Sequence, residues 1–204
     1  MRTALCGVLL TALIGLVACS SGSSTAKKEE SKAPAEPVAA RFAYHQTYLT
    51  ARTWAQDLQV LRVRSLSMES VKAEPGKAPV WEVTFVSAAK GKARAYTYSV
   101  VETPSIHEGV FGQLESDWTG RDGQATAFLP AAFKIDSTDA WKAAAEKSKA
   151  YIEKNPDKPV TFLLEKTGRH PDPAWRVIWG TSASTSDYSI FVDATTGEYL
   201  ERMR

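Results

Sequence analysis

Cysteine is scarce in this sequence, and both cysteines lie close to the amino end. Cys6 and Cys19 are the two cysteines of a chain of 204 residues, so the sequence beyond residue 19 has no thiol. An internal disulfide framework and a zinc site built on cysteines are therefore excluded for that part of the chain. A catalytic thiol is excluded there for the same reason.

The usual catalytic and cofactor motifs are also missing. The sequence contains no H-E-x-x-H or H-x-x-x-H pair, no G-x-S-x-G elbow, no Walker A loop and no G-x-G-x-x-G. His45, His107 and His170 are interpreted as ordinary surface or capping residues. No catalytic, cofactor-binding or metal-binding residue is predicted, so the sequence favours a protein that is not an enzyme.

Charge of one sign is not concentrated anywhere in the chain. The formal net charge is +2, and no cluster of lysine and arginine stands out. Nucleic-acid binders usually carry a basic patch, so no nucleic-acid partner is predicted. Residues 117–123 resemble a calcium loop only loosely, because the spacing of acidic residues is wrong, and they are interpreted as a connecting loop.

Long hydrophobic runs are absent as well. Residues 4–18 form an uncharged, mostly apolar run of fifteen after Arg2, whereas a membrane-spanning helix needs ~20 apolar residues. This run fits the hydrophobic region of a signal peptide. It ends in Leu16-Val17-Ala18-Cys19, followed by Ser-Ser-Gly-Ser-Ser. That order resembles a bacterial lipoprotein signal, and the alternatives are an ordinary secretory signal with a chance cysteine or a buried apolar helix.

The lipoprotein resemblance implies export to the cell envelope and a lipid anchor. Residues 1–18 would be the signal peptide, cleaved after Ala18, and Cys19 would carry the lipid. Each buried CH₂ contributes ~0.8 kcal/mol, so several acyl chains hold a protein on a membrane. Residues 19–37 are rich in serine and mixed charges and predict a flexible tether. Ser20 in place of aspartate favours the outer membrane, facing the periplasm, if the envelope is Gram-negative.

Hydrophobic periodicity predicts an α+β fold made of two tandem units, each a helix with an antiparallel sheet. The first unit covers 38–112, the second covers 135–204, and residues 113–134 connect them. Helices are predicted over 38–58 and from Ser137 to about residue 154. Predicted strands cover residues 61–66, 80–87, 96–100, 160–166, 174–181 and 188–192. Pro79-x-Trp81-x-Val83 recurs 94 positions later as Pro173-x-Trp175-x-Val177, which indicates an internal duplication.

The second unit resembles the PepSY family. The resemblance rests on Ile135-Asp136-Ser137 at the helix start, on Trp175-Arg176-Val177, and on the ending Asp193-Ala194-Thr195-Thr196-Gly197-Glu198. It implies small cystatin-like α+β folds that bind or inhibit and are generally not catalytic. The first unit lacks the ending and would be either a degenerate copy or a unit of similar topology only. Asp193 and Gly197 are interpreted as turn residues, since aspartate can accept backbone N–H groups and glycine adopts positive φ.

Together these features predict a lipid-anchored protein of the bacterial cell envelope. Its partners would be the membrane, through the lipid, and a protein or peptide, with protease inhibition or envelope assembly as the outcome. Trp118, alone in a polar segment, is a weak candidate for contact with that partner, against packing under its loop. The alternatives are an envelope hydrolase that uses a carboxylate pair and a carrier of a small molecule.

Overall fold

The computed structural model describes residues 35–68, 71–72 and 74–203. The predicted signal peptide, Leu16, Val17, Ala18, Cys19 and most of the predicted tether lie outside these residues. The described part is a mixed α+β structure in which a large antiparallel sheet dominates and the helices are few. This agrees with the α+β class that the sequence predicts.

Strands make up most of the regular structure. They are β1 (Val38–Ala39), β2 (Leu58–Leu66), β3 (Lys77–Ala78), β4 (Val80–Ser87), β5 (Lys92–Ser99), β6 (Gly109–Asp117), β7 (Arg121–Asp122), β8 (Ala125–Thr126), β9 (Val160–Thr167), β10 (Ala174–Trp179), β11 (Ser189–Asp193) and β12 (Tyr199–Met203). The main sheet has the order β12-β11-β10-β9-β2-β4-β5-β6, and the short strand β8 pairs with both β7 and β9. Each described strand pair is antiparallel.

Three α-helices lie against this sheet. They are α1 (Ala40–Ala51), α2 (Ser137–Lys147) and α3 (Lys149–Lys154), and a 3₁₀ turn covers Pro130–Ala132. Helix α1 contacts β4 and β5, and α2 contacts β10 and β11. The prediction of one helix over 38–58 is wrong at its end, because α1 stops at Ala51 and Leu58 already begins β2. The second predicted helix is interrupted at Ser148, whose backbone leaves the helical conformation.

The main core lies between the helices and one face of the sheet. Alternation along β4 places Trp81, Val83 and Phe85 on this face, and all three are fully buried. Trp175, Val177, Ile190 and Val192 occupy the same face in β10 and β11. A smaller cluster on the other face contains Leu61, Val86, Ala93 and Ala125. The sheet is therefore covered on both sides around its centre.

The strands related by the predicted duplication pair in equivalent registers. Trp81 faces Tyr98 across β4 and β5, and Trp175 faces Val192 across β10 and β11. Each indole also donates to a backbone oxygen just before a helix, Trp81 to Val38 and Trp175 to Ile135, both at 2.8 Å. The two predicted units belong to one continuous sheet, because β2 of the first pairs with β9 of the second through Val63 and Leu164.

The predicted connecting segment 113–134 carries more regular structure than its polar sequence indicates. The predicted boundary at residue 112 falls inside β6, so the segment supplies the second half of that strand. It also supplies β7, β8 and the 3₁₀ turn. Asp117 ends β6 and pairs with Lys92 at 2.8 Å. Residues 118–120 connect the strands as predicted, whereas the residues from Arg121 onward form the β7–β8 hairpin. Pairing with β5 and β9 stabilises these strands, and the sequence of the segment itself does not reveal that pairing.

The amino ends of α1 and α2 meet at one junction. Asp136 caps α2, and its Oδ1 accepts hydrogen bonds from the backbone N–H of Ser137 at 2.7 Å and of Arg41 at 3.0 Å. The Ser137 hydroxyl donates to the Gly76 carbonyl at 2.6 Å and accepts from the Ala40 N–H at 2.9 Å. Two polar side chains thus satisfy backbone groups from three segments, as helix amino ends require.

Candidate binding pocket on the polar face of the sheet

Alternation places a set of charged and aromatic residues on the face of the sheet opposite the helices, here called the polar face. Trp175 and Val177 point into the main core, so Arg176 between them points to the polar face. The strand registers place Leu163 and Phe191 on either side of Arg176. Residues directly opposite each other on paired strands share a face. Arg176 therefore lies in a row with two large apolar side chains.

Two chain segments turn this part of the polar face into a pocket. The β7–β8 hairpin reaches β9, where Ala125 faces Thr167 and Thr126 faces Lys166. The loop between β9 and β10 lies beside it. The cavity has a volume of about 500 Å³, which is in the range of ligand sites. Its lining residues are Arg62, Asp122, Gly123, Gln124, Ala125, Leu163, Glu165, Thr167, Gly168, Arg169, His170, Asp172, Ala174, Arg176, Phe191 and Met203.

Most of the charged groups in or beside the pocket are paired with one another. Arg62 binds Glu165 through Nε and Asp122 through Nη1, the latter at 3.1 Å. Arg169 binds both carboxylate oxygens of Glu201. The hydrogen bond from Arg169 and its positive charge hold the pKa of the Glu201 carboxyl below its ordinary value. Because these side chains are paired, their charges largely cancel where they lie.

Phe191 is the centre of a cationic stack. The guanidinium carbon of Arg169 lies 5.2 Å from the centre of the Phe191 ring, and that of Arg176 lies 5.6 Å from it. The His170 ring is also close, at 5.3 Å between ring centres. Cations within about 6 Å of an aromatic ring are attracted to its face. The ring therefore helps to hold two arginine side chains in fixed positions.

His170 is the one histidine that the structure places at the pocket. Its Nε2 is buried and lies 3.1 Å from Oε1 of Glu201, but the two atoms are not aligned as a hydrogen bond. His107 lies elsewhere, 3.0 Å from Glu102, and His45 is exposed on α1. Among the described residues, no group of three His, Cys, Asp or Glu side chains is arranged to hold a metal ion.

The pKa directions of the described carboxyl groups bear on the hydrolase with a carboxylate pair, which the sequence leaves as an alternative. Within the described ranges, the four carboxyl groups with a shifted pKa all have it lowered, and they are Asp57, Asp117, Asp187 and Glu201. A general acid at neutral pH needs a raised pKa. Glu165 and Asp122, which line the pocket, share the charge of Arg62. The arrangement suits binding, and the absence of enzymatic activity stays a prediction.

The other residues that the sequence singled out have structural surroundings. Trp118 is half-buried and packs against the small cluster around Leu61 and Val86, which is the alternative that the sequence left open for it. Asp193 Oδ1 accepts hydrogen bonds from the N–H groups of Thr195 at 2.7 Å and Thr196 at 2.8 Å. Gly197 has a φ of 82°. The interpretation of this ending as a turn is confirmed.

Sequence reasoning did not identify the pocket residues Arg62, Arg169, Arg176 and Phe191. A signal was present for Arg176, because an arginine between two core residues of a strand must face away from that core. Nothing in the sequence indicated which residues would surround it there. Arg62 lies more than a hundred positions from Glu165, and only the pairing of β2 with β9 brings them together.

Comparisons with known proteins give little further identification. No known protein family matches the sequence, and no curated protein matches it. The structure is similar to the crystal structure of a putative lipoprotein from Clostridium difficile 630, with a TM-score of 0.43 and 11% sequence identity. The match covers 84% of this chain and 95% of the other. A similarity of this size supports no conclusion about fold or function.

None of the helices in the described part of the chain is long and apolar enough to cross a membrane.

Proposed function

We propose that this protein is a lipid-anchored lipoprotein of the cell envelope whose folded part binds a protein or peptide and catalyses no reaction. The anchor is supported by the sequence Leu16-Val17-Ala18-Cys19 after a short apolar run. The predicted tether, residues 19–37, would hold the folded part away from the bilayer. On this proposal the lipid supplies the membrane contact, and the sheet and its pocket supply the contact with the partner.

Replacing Cys19 by serine tests the anchor. We expect the C19S variant to stay unprocessed or to be released from the membrane, because serine has no thiol to accept the lipid. Fractionation of envelopes and mass spectrometry of the mature amino end measure the result. C6S is the matched control and should fractionate with membranes as the wild type does. An unmodified Cys19, or equal fractionation of the C19S variant, contradicts the anchor.

The fold of the described residues supports a tandem PepSY-like module as part of this proposal. Equivalent registers in the β4–β5 and β10–β11 pairs agree with a duplicated unit. The equivalent indole hydrogen bonds of Trp81 and Trp175 agree with it too. PepSY-like units are associated with binding and inhibition, which is consistent with a module that presents a surface to a partner.

The pocket on the polar face is the observation that carries the binding proposal. It combines a cavity of about 500 Å³ with fixed charged groups and an apolar wall. Recognition sites combine apolar lining with a few placed polar groups in this way. The pocket is also open to solvent along the exposed residues of the β7–β8 hairpin, such as Gln124. A partner can therefore reach it without unfolding the sheet.

A photo-crosslinking amino acid at position 124 tests this proposal in intact envelopes. Gln124 is exposed and lines the pocket, so a bound partner would be within reach of the probe. We expect a discrete adduct of constant mass with the probe at 124. The control is the same probe at Leu49, which is 52% exposed on α1 and does not line the pocket. No adduct at 124, or the same adducts from both positions, would overturn the proposal.

A further inference from the structure

Arg176 differs from the other arginines of the pocket in its partners. Its Nε donates to the Ser189 hydroxyl at 2.9 Å, and its Nη2 approaches the Met203 sulfur at 3.3 Å. Within residues 35–68, 71–72 and 74–203, no carboxylate lies within ion-pair distance of Arg176. Arg62 and Arg169, by contrast, each bind a carboxylate directly. Arg176 is thus held in place by neutral groups and forms no direct ion pair with a carboxylate of the described residues.

The surroundings of Arg176 disfavour its positive charge. Burial and, next, the positive charge of Arg169 hold the pKa of the Arg176 guanidinium below its ordinary value, and the negative charge of Glu165 offsets only part of this. A half-buried cation without a counter-ion is stabilised by any anion that takes the open side of its guanidinium. The pocket therefore has a position that favours one negative charge beside Arg176.

The walls of the pocket limit which anion can take that position. Leu163, Phe191 and Met203 form an apolar surface next to Arg176, so the ligand needs an apolar group close to its charge. Asp122, Glu165 and Asp172 also line the cavity, and Asp172 is exposed at its rim. These carboxylates repel a ligand with several negative charges, such as a phosphate-rich one. A single planar carboxylate matches the guanidinium fork and, with one negative charge, is repelled less.

We infer that the pocket binds the C-terminal carboxylate of a peptide, with Arg176 pairing the carboxylate and the wall of Leu163, Phe191 and Met203 taking an apolar side chain. This inference rests on the proposed function and specifies the chemical group by which the partner is recognised. The Phe191 stack fixes the position of the Arg176 guanidinium, so the pocket requires little rearrangement on binding. Asp172 at the rim disfavours an acidic residue near the chain end.

Two matched peptide pools test the inference on the full chain in detergent. Both consist of random tetrapeptides with acetylated amino ends and without Asp or Glu. One pool ends in a free carboxylate and the other in an amide, so the terminal carboxylate is the only difference. Equilibrium dialysis with mass spectrometry measures retention. We expect the carboxylate pool to be retained at least about tenfold more strongly, as for a charge-assisted pair.

Variants assign the effect to Arg176. R176M should lose the preference for the carboxylate pool, and R176K should retain part of it, because lysine keeps the charge but not the fork. R52M is the matched control, since Arg52 is exposed beyond the end of α1 and does not line the pocket. It should behave as the wild type does. Near-ultraviolet circular dichroism checks that each variant keeps its tertiary packing.

Several outcomes overturn the inference. They are equal retention of the two pools, retention of neither pool by the wild type, and an unchanged preference in both R176M and R176K. Displacement of the peptides by inorganic phosphate at concentrations where acetate has no effect would assign the position to phosphate groups instead. If position 124 gives adducts but the two pools are retained equally, the proposed function still holds and only the recognition of a terminal carboxylate is contradicted. If the probe at position 124 gives no adducts, the proposed function itself is contradicted.

Discussion

Replacing Trp175 by alanine is expected to lower the free energy of unfolding by about 4 kcal/mol, within the range measured for buried large-to-small changes. Trp175 is fully buried, and its ring packs against Trp81 at 6.3 Å and Phe133 at 5.6 Å between centres. The change removes these contacts and leaves the Ile135 carbonyl without its indole donor. Urea denaturation followed by far-ultraviolet circular dichroism measures the loss.

Two further variants separate the contributions to that loss. W175F keeps an aromatic ring but removes the indole N–H, so it should cost less than W175A, roughly 1–2 kcal/mol for the unpaired carbonyl. W118A is the matched control, because Trp118 is half-buried in the small cluster on the polar face. If W175A costs no more than W118A, then Trp175 is not the centre of the core.

Replacing Gly76 by alanine is expected to cost about 3 kcal/mol, the second largest effect that we predict. Gly76 has a φ of 75°, and an added Cβ would lie 2.4 Å from the Thr138 Cα and 2.9 Å from the Ser137 carbonyl oxygen. Left-handed backbone costs a non-glycine residue roughly 1–2 kcal/mol, and overpacking against backbone adds roughly 1–3 kcal/mol. The clash falls on the junction where Ser137 binds the Gly76 carbonyl. Thermal or urea unfolding measures the change.

Gly91 provides the control for the steric part of this effect. It also has a positive φ, 61°, but an added Cβ meets nothing within 4 Å. G91A should therefore show the conformational strain alone, about 1 kcal/mol. Equal losses in G76A and G91A would mean that the close approach of Gly76 to α2 has no energetic consequence.

Local patterns were sufficient to predict six of the twelve described strands, which are β2, β4, β5, β9, β10 and β11. Alternation along β4 matched the structure from Val80 to Ser87, and the predicted strand at 160–166 differs from β9 by one residue. The turn at Asp193–Gly197 formed as its composition indicates. These elements are set by neighbouring residues, since a strand face repeats every two residues and a turn needs only a few specific ones.

Predictions failed where a distant segment decides the local structure. A spacing of three and four residues continued through Ala55 and Leu58, but these residues are buried after α1 has ended, in a turn and a strand. Most of β6 is exposed, so its sequence lacks the alternation of a half-buried strand. It is a strand because β5 offers it a hydrogen-bonding edge.

By itself the sequence determined the α+β class, the longer core strands and the turn after β11. It also supplies the whole basis for the predicted lipid anchor. Only the tertiary structure decided that β2 and β9 pair, and so that Arg62 meets Glu165. It also decided that two arginines enclose Phe191. The physical reason is the range of the interactions. Strand and turn preferences act between near neighbours, whereas a pocket depends on which distant strands are paired and in which register.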